Sequence, residues 1–124
     1  MDKEVIYGQV VAKANHYKTV PDGAGGKRII KDDAIRDYER SFLEQCKVYA
    51  GRCIDRPFKF HAKVYYRNWS YDIDNSIKTI LDCLQMAQAI TNDKLCIEIH
   101  AYKAIDRTNP RVIFAIEETE PKLF

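Results

Sequence analysis

The chain has 124 residues, 46% of them hydrophobic and 31% charged, with a net charge of +2. That size suits one globular domain able to bury a core without disulfides or a structural metal. No stretch is apolar for the roughly 20 residues a membrane helix needs. The opening MDKEVIYG carries acids and lacks the basic-then-apolar order of a secretory signal, so cytoplasmic residence is expected.

The four cysteines (Cys46, Cys53, Cys83, Cys96) form no C-x-x-C pair and have no closely spaced histidine. They read as reduced structural thiols rather than zinc ligands. His16, His61 and His100 are scattered along the chain and read as surface or strand residues. The charge balance is only weakly basic, so composition alone does not decide for nucleic acid.

In chain order, residues 4–12 predict a strand interrupted by Gly8. Residues 13–31 hold Pro21 and three of the five glycines, and read as a mobile loop. That loop is basic, with Lys13, Lys18, Lys27 and Arg28 beside Asn15, and suits the backbone of a nucleic acid. From Asp32 to Ala50, apolar residues at three- and four-residue steps (Ile35, Tyr38, Phe42, Cys46, Tyr49) predict a helix. Asp32 or Asp33 can cap its start, and Gly51 can end it.

After Pro57, Phe58, Phe60, Ala62, Val64 and Tyr66 alternate with Lys59, His61, Lys63 and Tyr65, the pattern of a half-buried strand. A polar turn follows, then a helix over 75–89 that buries Ile77, Ile80, Leu81 and Leu84. A turn at Thr91–Asp93 leads to a strand with Leu95, Ile97, Ile99 and Ala101 on one face. Asn109-Pro110 marks another turn, 111–117 a last strand, and 118–124 a frayed tail. The order β-α-β-α-β-β predicts one α+β domain, a single mixed sheet with two main helices.

Chemistry concentrates at Asp72-Ile73-Asp74-Asn75. In an extended segment, residues i and i+2 project from the same face. Two carboxylates about 4 Å apart would repel by roughly 4 kcal/mol at an effective dielectric of 20. A cation offsets that repulsion, and hard oxygen ligands suit magnesium or manganese. The competing reading is structural, because Asp74 or Asn75 could cap the following helix.

Lys78 lies one helical turn beyond Asp74 and off the apolar stripe, where its charge could stabilise a phosphate under attack. Its structural alternative is an ion pair with Asp82. Asp93 supplies a third acid at a turn. Three acids and a lysine are compatible with metal-activated water attacking phosphorus. Trp69, Tyr65, Tyr66 and Tyr71 crowd the approach to the aspartates, with Arg67 as the local cation. Such aromatics serve either for base stacking or for packing.

The run DIDNSIKTILDCL, the turn NDKLCIEI and the closing strand PRVIFAI together resemble the RusA-type crossover-junction endodeoxyribonucleases. More weakly, Gly8, Lys13, Asn15 and Tyr38 fall in that family's order. The resemblance implies a small α+β homodimer that uses Mg²⁺ (or Mn²⁺) to nick branched DNA such as four-way junctions, in recombination and repair. It implies Asp72, Asp74 and Asp93 as metal-binding catalytic acids and Lys78 as the catalytic lysine. The chain departs from the pattern where RNWSY replaces a run of arginines before the first aspartate. It departs again where Asn92 replaces the first of two acids at the turn.

Two rival functions arise from the same residues. A nucleic-acid-binding module of the same fold that does not cut would bind branched structures regardless of chelators. A D-x-D glycosyltransferase needs a nucleotide-sugar domain larger than this chain. The position of Asp93 is left open by the sequence. A continuous helix over 75–89 carries the chain about 22 Å from Asp74. Asp93 returns to its own chain's aspartates only if that helix stops early and residues 86–92 run back extended; otherwise it meets the Asp72 and Asp74 of a second subunit across a two-fold axis.

Overall fold

The computed structural model describes residues 1–12 and 17–121, with only the backbone of Tyr17 and Lys18. Six strands and two helices follow the expected α+β order, with one addition between the first strand and the first helix. Strand β1 covers Glu4–Tyr7, β4 Phe58–Tyr66, β5 Cys96–Ile105 and β6 Arg111–Glu118. They form one sheet in the order β1-β6-β4-β5. Helix α1 is Asp33–Gln45 and helix α2 is Ile73–Met86.

The addition falls in the stretch read from composition as a loop. Tyr17–Pro21 (β2) and Lys27–Lys31 (β3) pair antiparallel as a hairpin, from Tyr17 opposite Lys31 to Pro21 opposite Lys27. Its glycines serve the turn alone, where Asp22 Oδ1 accepts the Ala24 and Gly26 amides at 2.8 and 3.0 Å. The flanking Thr19, Val20, Ile29 and Ile30 are β-branched and favour strands. Lys31 ties the base of the hairpin to α1 through an ion pair with Glu39 at 2.8 Å.

The core lies between one face of the sheet and the two helices. Phe58, Phe60, Val64 and Tyr66 are fully buried with Phe42 of α1 and Ile80 and Leu84 of α2. The alternate residues Lys59, His61, Lys63 and Tyr65 are partly or fully exposed on the other face. Helix α1 stops at Gln45, earlier than its apolar stripe suggested. The reason is Glu4, whose buried carboxylate accepts the backbone N–H groups of Lys47, Val48 and Tyr49 at 2.8–3.1 Å. Those amides answer to a side chain on β1 rather than to helix carbonyls, and Gly51, at φ +78°, serves a later turn.

All four cysteines are free thiols, and Cys46 and Cys83 are buried. Burial, with the Glu4 carboxylate 3.3 Å away, pushes the Cys46 thiol up to about 12.

Topology around β4 sets the distance between the candidate acids. Strand β4 runs away from Pro57, α2 returns antiparallel to it, and β5 then pairs parallel with β4, from Phe58 beside Cys96 to Tyr66 beside Ile105. The two ends of α2 therefore lie at opposite ends of the sheet.

Candidate active site

The Asp72–Asp74 segment departs from the extended conformation expected from sequence, because α2 begins inside it. Asp72 is the N-cap residue and Asp74 sits in the first turn. The Asp72 carboxylate makes no capping bond to the helix amides. Among the described residues, neither aspartate carboxylate takes a hydrogen bond or ion pair. Both are exposed. The partial positive charge of the helix N-terminus favours carboxylates here, by about 0.3–1 kcal/mol each.

The Asp72 backbone is firmly placed. Its carbonyl accepts the Ser76 hydroxyl at 2.9 Å and the buried Tyr66 hydroxyl at 3.4 Å. Tyr66 also donates to Ser76 Oγ at 2.6 Å and stacks on Tyr71, ring centroids 5.5 Å apart. Burial chiefly, and then the negative charges of Asp72 and Asp74, hold the Tyr66 phenol above its ordinary pKa.

Lys78 is exposed and makes no ion pair among the described residues, so the alternative pairing with Asp82 is not formed. It lines a cleft of about 280 Å³ with Asp74, Asn75, Ile77, Leu81 and Ile99. A larger depression of about 480 Å³, lined by Met1, Lys3, His61, Lys63 and His100 among others, lies on the sheet face opposite the helices. It contains none of the aspartates.

Asp93 lies elsewhere. It opens a single 3-10 turn, Asp93–Leu95, beyond the C-terminal end of α2. Its amide donates to Gln85 Oε1 at 3.0 Å. Eleven helical steps separate Asp74 from Gln85, about 17 Å at 1.5 Å per residue. Residues 87–92 turn beside Ile54, where Thr91 N donates to the Ile54 carbonyl at 3.1 Å, and do not run back along the helix. Among the described residues no three His, Cys, Asp or Glu side chains gather closely enough to hold a metal. Asn92, in place of an acid, caps the 3-10 turn by accepting the Lys94 amide at 2.9 Å.

Of the candidate DNA-contacting residues, Arg67 is exposed at the end of β4, on the Asp72 side of the domain, its amide held by Gln9 Oε1 at 3.0 Å. Lys27 and Arg28 are exposed on β3. Lys18 contributes backbone to β2, its side chain lying outside the described residues, as do Lys13 and Asn15 altogether.

Sequence reasoning missed Lys103. It stands on the face of β5 shared with Ile99, Ala101 and Ile105, and its Nζ donates to the Trp69 carbonyl at 2.9 Å and the Tyr71 carbonyl at 2.5 Å. A lysine breaking an apolar alternation was the available signal.

Asp72 and Asp74 thus stand at a helix N-terminus with Lys78 one turn on, all three without a hydrogen-bond or ion-pair partner among the described residues, and Asp93 lies beyond the far end of the helix. The family model for endodeoxyribonuclease RusA matches residues 8–117. The chain belongs to the RusA endodeoxyribonuclease family. The matched span runs from Gly8, just after β1, to Glu117 near the end of β6 and includes the hairpin, both helices and all four candidate catalytic residues. The chain is also similar to the crossover junction endodeoxyribonuclease RusA of Aquifex aeolicus (strain VF5), 29% identical over 108 residues, covering 86% of this chain and 82% of that protein. RusA membership makes this chain a nuclease by family. Among the described residues no helix is long and apolar enough to cross a membrane.

Proposed function

We propose that the protein is a Mg²⁺-dependent endonuclease (Mn²⁺ substituting) that nicks branched DNA such as four-way junctions in recombination and repair. It works as a homodimer whose two centres each join Asp72, Asp74 and Lys78 of one subunit to Asp93 of the other. The separation of Asp93 from Asp74 by the length of α2 carries this reading.

The face between those ends supports it. Strand β5 is a sheet edge, and Ile97 and Ile99 are 45% and 52% exposed on it. An exposed apolar edge strand is a ready template for pairing with another chain. Ile99 borders the cleft that holds Asp74 and Lys78. A two-fold axis through this face, with the two α2 helices antiparallel, sets each Asp93 toward the partner's helix N-terminus.

The donor set fits a hard divalent cation, since all three groups are carboxylates and Asp72 and Asp74 are exposed, with no hydrogen bond or ion pair to them among the described residues. When bound, the metal supplies a more acidic water and polarises the phosphate. The chain's own residues do the rest. The Tyr66–Ser76 pair fixes the Asp72 backbone, the Lys78 ammonium stabilises charge growing on the phosphate, and Arg67, Lys27 and Arg28 hold the DNA backbone. Hydrolysis leaves 5′-phosphate and 3′-hydroxyl ends, and two centres permit paired nicks.

The test is nicking of a labelled synthetic four-way junction in Mg²⁺ and in chelator, beside Asp74→Asn. Metal-dependent paired nicks lost in the variant support the reading. Tight junction binding without cleavage in either metal replaces it with a non-cutting binding module.

A further inference from the structure

Trp69 is 70% exposed, more than any other aromatic among the described residues. Leaving an indole in water forgoes much of the stabilisation its burial would give, so its placement needs another reason. The loop beneath it is tightly held. Asn68 Oδ1 accepts the Ser70 amide at 2.9 Å, and Lys103 bonds the carbonyls of Trp69 and Tyr71 from below. The same ammonium sits 5.5 Å from the centroids of both the Trp69 and Tyr66 rings. One end of the ring system is thus anchored over a cation while most of the indole faces solvent. Trp69 stands three residues before Asp72, at most about 11 Å along the chain.

We propose that Trp69 is a stacking platform for a base left unpaired at a DNA branch, and that it sets the preference for branched over continuous DNA. The proposal rests on the nuclease reading above. A base already paired and stacked within a duplex has no free face to offer, whereas a base at a branch can leave its stack at lower cost and lie on an aromatic ring. Arg67, exposed two residues earlier, supplies a cation for the adjoining phosphate. A second subunit is the other occupant an exposed indole could have. The apolar face assigned to that subunit, however, centres on Ile97 and Ile99, at the opposite end of β5 from Lys103.

Trp69 is the single tryptophan of the chain, so its own fluorescence reports on it. With chelator present to prevent cutting, a four-way junction should quench the emission and a matched duplex should not. Trp69→Ala should lower the ratio of junction to duplex affinity by about 5- to 160-fold, the range of one base–aromatic stack, and Trp69→Phe should restore most of it. A protein that binds and nicks junctions with unquenched emission and an unchanged ratio in Trp69→Ala overturns this inference alone. A wild-type protein that neither binds nor nicks junctions overturns the nuclease reading, and this inference with it. Emission that is blue-shifted in the free protein and moves to the red on dilution places Trp69 between subunits and also overturns it.

Discussion

Asp74 and Asp93 stand at opposite ends of one helix, the first in the opening turn of α2 and the second hung from its far end by the 3.0 Å bond between its amide and Gln85 Oε1. A helix of 14 residues holds them apart as a rigid spacer. For both to serve one metal, a second copy of the chain must bring them together. The proposed catalytic unit is therefore the dimer.

If the β5 edge joins the two copies, a charge there should separate them. Ile99 is half exposed, so Ile99→Glu removes little core packing and should leave the fold stable to within about 0.5 kcal/mol. Light scattering should give a monomer at concentrations where the wild type is dimeric, and nicking should fall with dimer content. A dimeric, fully active Ile99→Glu protein would place the interface elsewhere.

The Tyr66 hydroxyl acts through the Asp72 backbone, so it is a positioning group rather than a catalytic one. Tyr66→Phe should keep the fold, at a cost of about 1 kcal/mol for the lost hydrogen bonds. Its single-turnover nicking rate should fall on the order of tenfold, as for other groups that orient metal ligands, with junction affinity in chelator unchanged. Ser76→Ala should behave alike. Equal losses in affinity and rate would point instead to general disruption of the site.

Glu4 links pH to stability. Burial alone would raise its pKa, but the Val48, Lys47 and Tyr49 amides and the Cys46 thiol outweigh burial and hold it below the ordinary 4.5. A depressed folded pKa means the carboxylate stabilises fully above pH 4.5 and its contribution is lost as pH falls through the folded value. Glu4→Gln should cost about 1–3 kcal/mol at pH 7 in urea denaturation. The gap to wild type should narrow below pH 4.5.

Tyr38 offers the opposite case. Its hydroxyl is buried with no hydrogen-bond partner among the described residues, and burial raises its pKa far above the ordinary value. Tyr38→Phe removes an unsatisfied polar group without leaving a cavity, so it should be neutral or stabilising by about 1 kcal/mol. Thermal denaturation measures this directly. A loss of more than that would reveal a partner for the hydroxyl.

Where burial dictates residue pattern, the sequence was legible. The alternation of Phe58 to Tyr66 and the stripe of Ile77, Ile80, Leu81 and Leu84 each marked a buried face, and all are buried. Legibility failed where long-range pairing overrides composition. The hairpin at 17–31 looked like a loop because its glycines and cations outnumber its β-branched residues, although the glycines are confined to the turn and the cations pair across the strands alongside the β-branched residues. Ile97 and Ile99 promised an inward face, but β5 is an edge that α2 only partly covers. At the candidate site, Asp72, Asp74, Lys78 and Asp93 were singled out by residue type and spacing together with the resemblance to RusA-type enzymes. Lys103 comes from a distant strand with only a broken apolar alternation to mark it, and Ser76, though inside the DIDNS run, carried no sign that it anchors the Asp72 carbonyl.

The shared centre is tested most directly by mixing two inactive subunits. Asp74→Asn and Asp93→Asn proteins, each inert alone, are unfolded or dissociated together, reassembled and supplied with Mg²⁺ and a labelled four-way junction. If each centre draws Asp93 from the partner, every heterodimer carries one intact centre, and equal random mixing restores roughly one quarter of wild-type centres. Nicking should then reappear, mostly as single rather than paired cuts. Heterodimers that form but remain inert would mean that each centre takes all its acids from one chain, and would contradict a centre shared between subunits.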